Sequence, residues 1–460
     1  MPQLTMAAIA AVLIAFIALG LRARHTTGLD DYLTARHTQT GNMLGLSFLA
    51  SGMGAWILFA PPEVGAFVGP VAVAGYALGS ALPFIILGLV GPAIRRHLPA
   101  GRSLTEFAAS RFGTGFRRWI AALSALYMLC FLAAELTAIG AITGLLSGVD
   151  GRFASVGVAV ATLLYTAIGG LRASLITDRW QAWLLVTLLA LVGLGALGLA
   201  PKAPAASSSG AMPDIGTGQA LSVAATLIIA VTAANLFHQG YWQRVWAAQD
   251  DHALRRGALL GGITTIVVVA LLGGAGVLAA MRGLDLGTPP IPFFALLGEA
   301  PAWLTLPALI LAITLVASSV DTLQNALVSL GVSESGRLGL PGARWLTALL
   351  MLPVIALALQ QISVLRLFLI ADLLCATALI PLFAGLARRV PPAAAIAGAL
   401  AGLAGAVLPG AVATASLTGG LLAASFPGAV PTLGPFLGAL IASGAVTLLV
   451  ARLRPLSPPD

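Results

Sequence analysis

Residues 42–68 read NMLGLSFLASGMGAWILFAPPEVGAFV, and the fold is decided there. The stretch is long and apolar enough to cross a bilayer as a helix. Gly52 and Gly54 sit near its middle, however, and Pro61, Pro62 and Glu63 follow a turn or two later. Glycine exposes backbone, while proline lacks an N–H and clashes with the carbonyl one turn back, so the helix is expected to unwind partway across. Freed carbonyls cannot face lipid. They must line a cavity or hold something, and coordinating a cation is a natural use for them.

The rest of the chain fits that setting. Its 460 residues are 59% hydrophobic and 9% charged, which excludes a soluble globular domain and predicts an all-α polytopic membrane protein. The net charge of +8 does not point to nucleic acid, because the arginines gather at helix ends. The expected partners are the lipid bilayer and a small-molecule solute; the sequence does not specify an oligomeric state. Cys130 and Cys375 fall in apolar runs and read as structural thiols. No Lys or Arg precedes the apolar run 4–21, so no cleaved signal peptide is expected. The bias toward Ala, Gly, Leu and Arg suggests a multi-pass protein of a bacterial cell (inner) membrane.

Thirteen apolar spans are expected, at 4–21, 42–68, 70–92, 118–147, 153–170, 179–200, 219–246, 256–281, 303–330, 343–361, 363–387, 391–409 and 433–453. Labelling their ends alternately gives one face 20 basic residues, Arg244 among them, and the other face 3. By the positive-inside rule this puts the N-terminus outside and the C-terminus in the cytoplasm. The spans within 42–200 and 219–388 form two blocks of five, and an odd block length inverts the second against the first. Each block opens with an interrupted helix; in 219–246, Thr232, Asn235, His238, Gln239 and Gly240 break the run. The chain reads as a single membrane domain over 1–460, with an extra N-terminal helix at 4–21 and two C-terminal helices in 391–453. The Gly-, Ala-, Ser- and Pro-rich stretch 410–432 is a loop or a weak further segment.

Polar groups inside these spans are the candidate site. Helix 303–330 carries Ser318, Ser319, Asp321, Thr322, Gln324 and Asn325. The hydroxyls of Ser318 and Ser319, the Leu315 carbonyl and two carbonyls of the unwound part of 42–68 would form an oxygen shell without formal charge, suited to a monovalent cation. The alternative is that the serines are small residues allowing close helix packing. Glu63, Glu135, Arg366 and Asp372 are intramembrane charges, which contact substrate or protons or else form buried pairs. Arg366 and Asp372 are six residues apart, on different helix faces, so each needs another partner. His238 and Gln239 at the second helix interruption join them as substrate candidates. Trp56 is packing or a cavity wall. Asp178 reads as the cap of a helix at its cytoplasmic start, where a carboxylate satisfies free amides.

Four stretches together resemble the sodium/solute symporter family: LDDYLTAR (29–36), YTAIGGLRASLITDRWQ (165–181), HQGYWQRVWAA (238–248) and VASSVDT (316–322), in the family's order and spacing. The resemblance implies a leucine-transporter-type core with a 5+5 inverted repeat and the N-terminus outside. It also implies a Na+ site made of the carbonyls of Ala50, Met53 and Leu315 and the hydroxyls of Ser318 and Ser319. A second Na+ near Asp178, Ser318, Asp321 and Thr322 is found in some members. Several members carry Asp where this chain has Gly52, and Glu63 is unusual for the family. The function expected from the resemblance is Na+-coupled symport of a small polar or zwitterionic solute by alternating access, with no organic cofactor. Arg366 would meet a carboxylate, and Glu63, Glu135 or Asp372 an amine. The alternatives are proton-coupled uptake, with Tyr-Trp-Gln at 241–243 hinting at the urea and polyamine branch, or a solute sensor on the same fold. A membrane enzyme is the third class, but no Ser/His/Asp set, metal-ligand cluster or phosphate loop is apparent in the sequence.

Overall fold

The computed structural model describes residues 2–22, 29–52, 54–199, 216–286, 292–297, 301–359, 364–387, 390–426 and 431–454, and these are nearly all helical. Helix α1 (Pro2–Leu21) and the short α2 (Leu29–Thr34) precede the deciding stretch. That stretch is broken as its glycines and prolines require: α3 (Gly41–Gly52), a 3-10 turn (Ala55–Leu58) and α4 (Ala60–Phe67). Gly54 between them is extended, at φ −88° and ψ −172°. Pro61 and Pro62 fall in the first turn of α4, where a missing N–H costs nothing.

Next come α5 (Pro70–His97), α6 (Leu104–Ser147) and α7 (Gly151–Leu199). The second interrupted segment is α8 (Gly216–Leu236) followed by α9 (Gln239–Ala247). Helices α10 (Asp251–Met281), α11 (Pro292–Ala295), α12 (Ala302–Ser335), α13 (Leu340–Ala358) and α14 (Val364–Ala384) lead to the C-terminal α15 (Pro392–Thr414), α16 (Leu417–Ala424) and α17 (Leu433–Leu453). Helix starts carry the expected chemistry. Ser103 accepts from the Glu106 amide at 3.1 Å while Glu106 accepts from the Arg102 amide at 2.7 Å, a reciprocal capping box opening α6.

Among the described residues, 9 helices are long and apolar enough to cross a membrane, against thirteen spans read from the sequence. The difference has local causes. Stretches 153–170 and 179–200 are counted together as α7, although they are two helices that meet at a kink at Gly170. The apolar parts of α1, α3 and α14 are shorter than a full span. Gly170 holds φ +58°, and a Cβ there would strike the backbone carbonyl and ring of Tyr32. Within 410–432, α15 continues to Thr414 and α16 folds back on it, while 427–430 lie outside the described residues.

Helices α3, α4 and α5 lie along α10, with α8 against α5. Helices α6, α7 and α13 surround α12. The broken segment runs between these groups: α3 touches α7 and α12, and the 3-10 turn touches α6 and α12. Every residue from 311 to 330 is buried, so the polar side chains of α12 all face protein.

Candidate functional site

The buried face of α12 anchors a polar network. Ser318 Oγ donates to Asp178 Oδ1 at 3.0 Å. The other carboxylate oxygen of Asp178 accepts from Ser47 Oγ on α3 at 2.7 Å and from Arg244 Nη2 on α9 at 3.1 Å. Arg244 also donates from Nε to Ser47 Oγ at 2.9 Å and from Nη1 to the Gly240 carbonyl at 2.7 Å. The Arg244 and Asp178 side chains are 0% and 1% exposed.

This corrects one expectation and adds to another. Asp178 is not a helix cap: α7 resumes directly after Gly170, which leaves Asp178 about two turns inside the helix, away from free amides. Arg244, in the last turn of α9, is enclosed as the counter-charge of Asp178. Asp321 is solvated differently. It accepts from Tyr165 Oη at 2.6 Å, Ser174 Oγ at 2.7 Å and Thr177 Oγ1 at 3.2 Å, all on α7. Thr322 Oγ1 lies 3.4 Å from Asp321 Oδ1 and 3.5 Å from Arg244 Nη2. Sequence reasoning missed Ser47, Tyr165, Ser174 and Arg244 as site residues, although Tyr165 and Ser174 lie inside the 165–181 signature.

Ser319 stands apart from this network. It is fully buried, and among the described residues its Oγ has no hydrogen-bond partner. A buried hydroxyl left so costs about 1–3 kcal/mol. Ala50 and Leu315 are equally buried, on the two helices that pass each other here. Hydroxyl and carbonyl oxygens are the ligand type that a hard monovalent cation takes. Met53, the remaining candidate ligand, lies outside the described residues.

A second group gathers around the break in 42–68. Gly54 abuts the Glu135 carboxylate so closely that a Cβ would collide with it, so α6 brings its mid-span acid onto the unwound segment. Trp56 stacks on Tyr76 with centroids 5.5 Å apart, and its Nε1 is buried without a partner. Tyr76 lies within electrostatic reach of both Glu63 and Asp372, and Tyr127 within reach of Asp372. His238 caps α9, its Nδ1 accepting from the Gly240 amide at 3.1 Å. The imidazole proton is thereby on Nε2, which has no partner. The ring stacks on Tyr241 at 4.4 Å and meets Phe131 edge-on at 6.1 Å. Phe131 in turn meets Phe368 at 5.2 Å, one turn before Asp372 on α14.

Trp56, Glu63 and Asp372 are thus linked through Tyr76, Glu135 lies against Gly54, and His238 reaches α14 through Phe131 and Phe368. Gln239 is elsewhere: its amide bonds the Arg102 carbonyl at 2.7 Å, the Leu104 amide at 2.9 Å and Ser329 Oγ at 3.2 Å. Arg366 lies on α14, and its side chain is outside the described residues. Tyr76, Tyr127 and Tyr241 were missed; Tyr127 and Phe131, four apart on one helix face, were the available signal.

The model of the sodium:solute symporter family matches residues 32–317. A spermidine transporter of Candida albicans is 31% identical over 375 residues, covering 78% of this chain and 70% of that relative. A Na+-coupled sialic acid symporter solved in a substrate-bound outward-open state superposes over 99% of both chains, with TM-score 0.78 and 16% identity. Mhp1, a nucleobase-cation-symport-1 family transporter in a closed conformation, covers 92% of this chain and 94% of its own, with TM-score 0.56 and 15% identity. The superpositions carry the leucine-transporter-type fold, and the sequence match carries the kinship. With more than half its length under that one family model, the chain belongs to the sodium:solute symporter family.

Proposed function

We propose that this secondary transporter couples uptake of a small organic solute bearing an amino group to the inward movement of Na+. Sodium is cargo here, held by the Ala50, Met53 and Leu315 carbonyls and the Ser318 and Ser319 hydroxyls. The observation that carries the reading is the orphaned, fully buried Ser319 hydroxyl on the helix that faces the broken segment. A second cation near Asp178, Asp321 and Thr322 is consistent with the charges: two buried carboxylates share one buried guanidinium, and uncompensated buried charge is costly. Arg244 already holds part of that space, which favours Asp321 and Thr322 over Asp178 as the contact.

The solute site is the space at the break, walled by Trp56, Tyr76 and Tyr127, with Glu63, Glu135 and Asp372 supplying negative charge. The spermidine specificity in the name of the Candida albicans relative supports an amine. In this reading the chain spans the inner membrane of a bacterial cell thirteen times, N-terminus outside, with two inverted five-helix repeats. Ion and solute each stabilise the outward-open state that binds the other. The test is uptake into proteoliposomes under a sodium gradient, a proton gradient or neither. Accumulation with sodium alone supports the reading. Accumulation with protons alone moves the coupling to a carboxylate, and binding without accumulation makes the chain a sensor.

A further inference from the structure

We infer that the solute cavity is a two-point ammonium site, in which Glu63 on α4 and Asp372 on α14 hold the two charged ends of a linear diamine or polyamine. The inference rests on the transport reading above and adds the charge number of the solute to it.

The argument starts from how this chain treats its buried acids. Asp178 is given Arg244 and two serine hydroxyls. Asp321 is given three hydroxyls from α7. Asp372 is 8% exposed, yet no described residue forms a hydrogen bond or ion pair with it. Glu63, half-buried, likewise has no described partner for its carboxylate. A carboxylate at membrane depth that the protein neither pairs nor solvates is expensive to keep. Two of them around one aromatic wall mark a place where the positive charge arrives from outside. Glu63 lies in the first turn of α4, where the helix dipole favours negative charge.

The wall between them suits the middle of such a solute. Both acids lie within electrostatic reach of Tyr76. Trp56 stacks on that ring, and Phe368 packs on Phe131 one turn before Asp372. Ring faces bind ammonium groups and the methylenes that join them. Glu63 and Asp372 come from opposite halves of the chain, so their separation selects solute length.

The same cavity offers two buried donors without partners, Trp56 Nε1 and His238 Nε2. A zwitterion of equal length would use them, which makes it the sharpest competitor. Purified full-length protein in detergent and saturating NaCl is titrated calorimetrically with putrescine, n-butylamine and γ-aminobutyrate. Putrescine is expected to bind at least about tenfold more tightly than either, the gain from a second charge-assisted contact. Glu63→Gln and Asp372→Asn each bring putrescine to the n-butylamine level, while a retained sodium-induced thermal shift shows that the variant is folded. Where a neutral variant loses that shift, Glu63→Asp and Asp372→Glu carry the test by moving the preferred diamine length by a methylene or two. Equal affinity for putrescine and n-butylamine, tighter binding of γ-aminobutyrate, or an unmoved preference in the variants overturns the inference. Sodium-driven accumulation of another solute without putrescine binding overturns it and leaves the symport reading standing. Putrescine binding without sodium-driven uptake does the reverse.

Discussion

Replacing Ser319 by Ala should raise stability without sodium and shrink the increment that sodium adds. The hydroxyl is fully buried and has no hydrogen-bond partner. Without a cation it is an unsatisfied polar group costing about 1–3 kcal/mol, which the alanine variant does not carry. In choline chloride, Ser319→Ala should therefore unfold later than the parent protein. Sodium narrows that advantage. At a concentration of about a hundred times Kd, sodium stabilises the native state by about 2.7 kcal/mol. Loss of one coordinating oxygen that weakens the site tenfold, about 1.4 kcal/mol, would leave only about half of that increment. The measurement is thermal unfolding of the purified protein titrated with NaCl at constant ionic strength. Lower stability of the variant in choline, or a sodium increment equal to that of the parent protein, would refute Ser319 as an ion ligand.

Other expectations follow from the same contacts. Asp178→Asn leaves Arg244 buried without its counter-charge and should cost about 3–5 kcal/mol already in choline, with partial recovery in the doubly neutral Asp178→Asn/Arg244→Gln protein; thermal midpoints check both. Gln239→Ala strips partners from the Arg102 carbonyl, the Leu104 amide and Ser329, which predicts about 1–3 kcal/mol lost per group left unsatisfied and faster proteolysis around residue 102. Gly170→Ala forces a side chain into φ +58° and against Tyr32, costing about 1–2 kcal/mol from the backbone alone, read as a lowered unfolding temperature.

The break in 42–68 was legible because its causes are local: two glycines and two prolines act on their own turns wherever the helix lies. The serine pair was legible for a similar reason, since hydroxyls and an acid inside an apolar span must face protein. Asp178 was misread because its setting is not local. The run GGLRASLITD looks like a connection, yet only Gly170 leaves helical geometry and the chain turns helical again at once. The partner of Asp178, Arg244, lies 66 residues away, and nothing around either residue names the other. The aromatic wall was hidden in the same way: Trp56, Tyr76, Tyr127 and Phe368 come from separate helices, and each alone reads as ordinary packing. Gln239 was singled out because it breaks an apolar run, but that polarity serves a loop.

Asp178 also bears on how the proposed ion site would be kept ready. A serine hydroxyl can coordinate a cation only with its lone pairs toward the ion and its proton elsewhere. Ser318 Oγ donates to Asp178 Oδ1 at 3.0 Å, so its proton is committed and its lone pairs are free. Asp178 keeps that orientation because Arg244 fixes its carboxylate, and Arg244 is fixed by the Gly240 carbonyl in the first turn of α9 and by Ser47 on α3. The chain of bonds thus runs from the ion-facing serine to both interrupted segments. Any movement of α9 away from α3 must loosen Arg244, free the carboxylate and let the Ser318 hydroxyl turn. In the proposed ion site Asp178 would be a positioning residue, and rearrangement of the broken helices would weaken ion binding without displacing any of the proposed ligands.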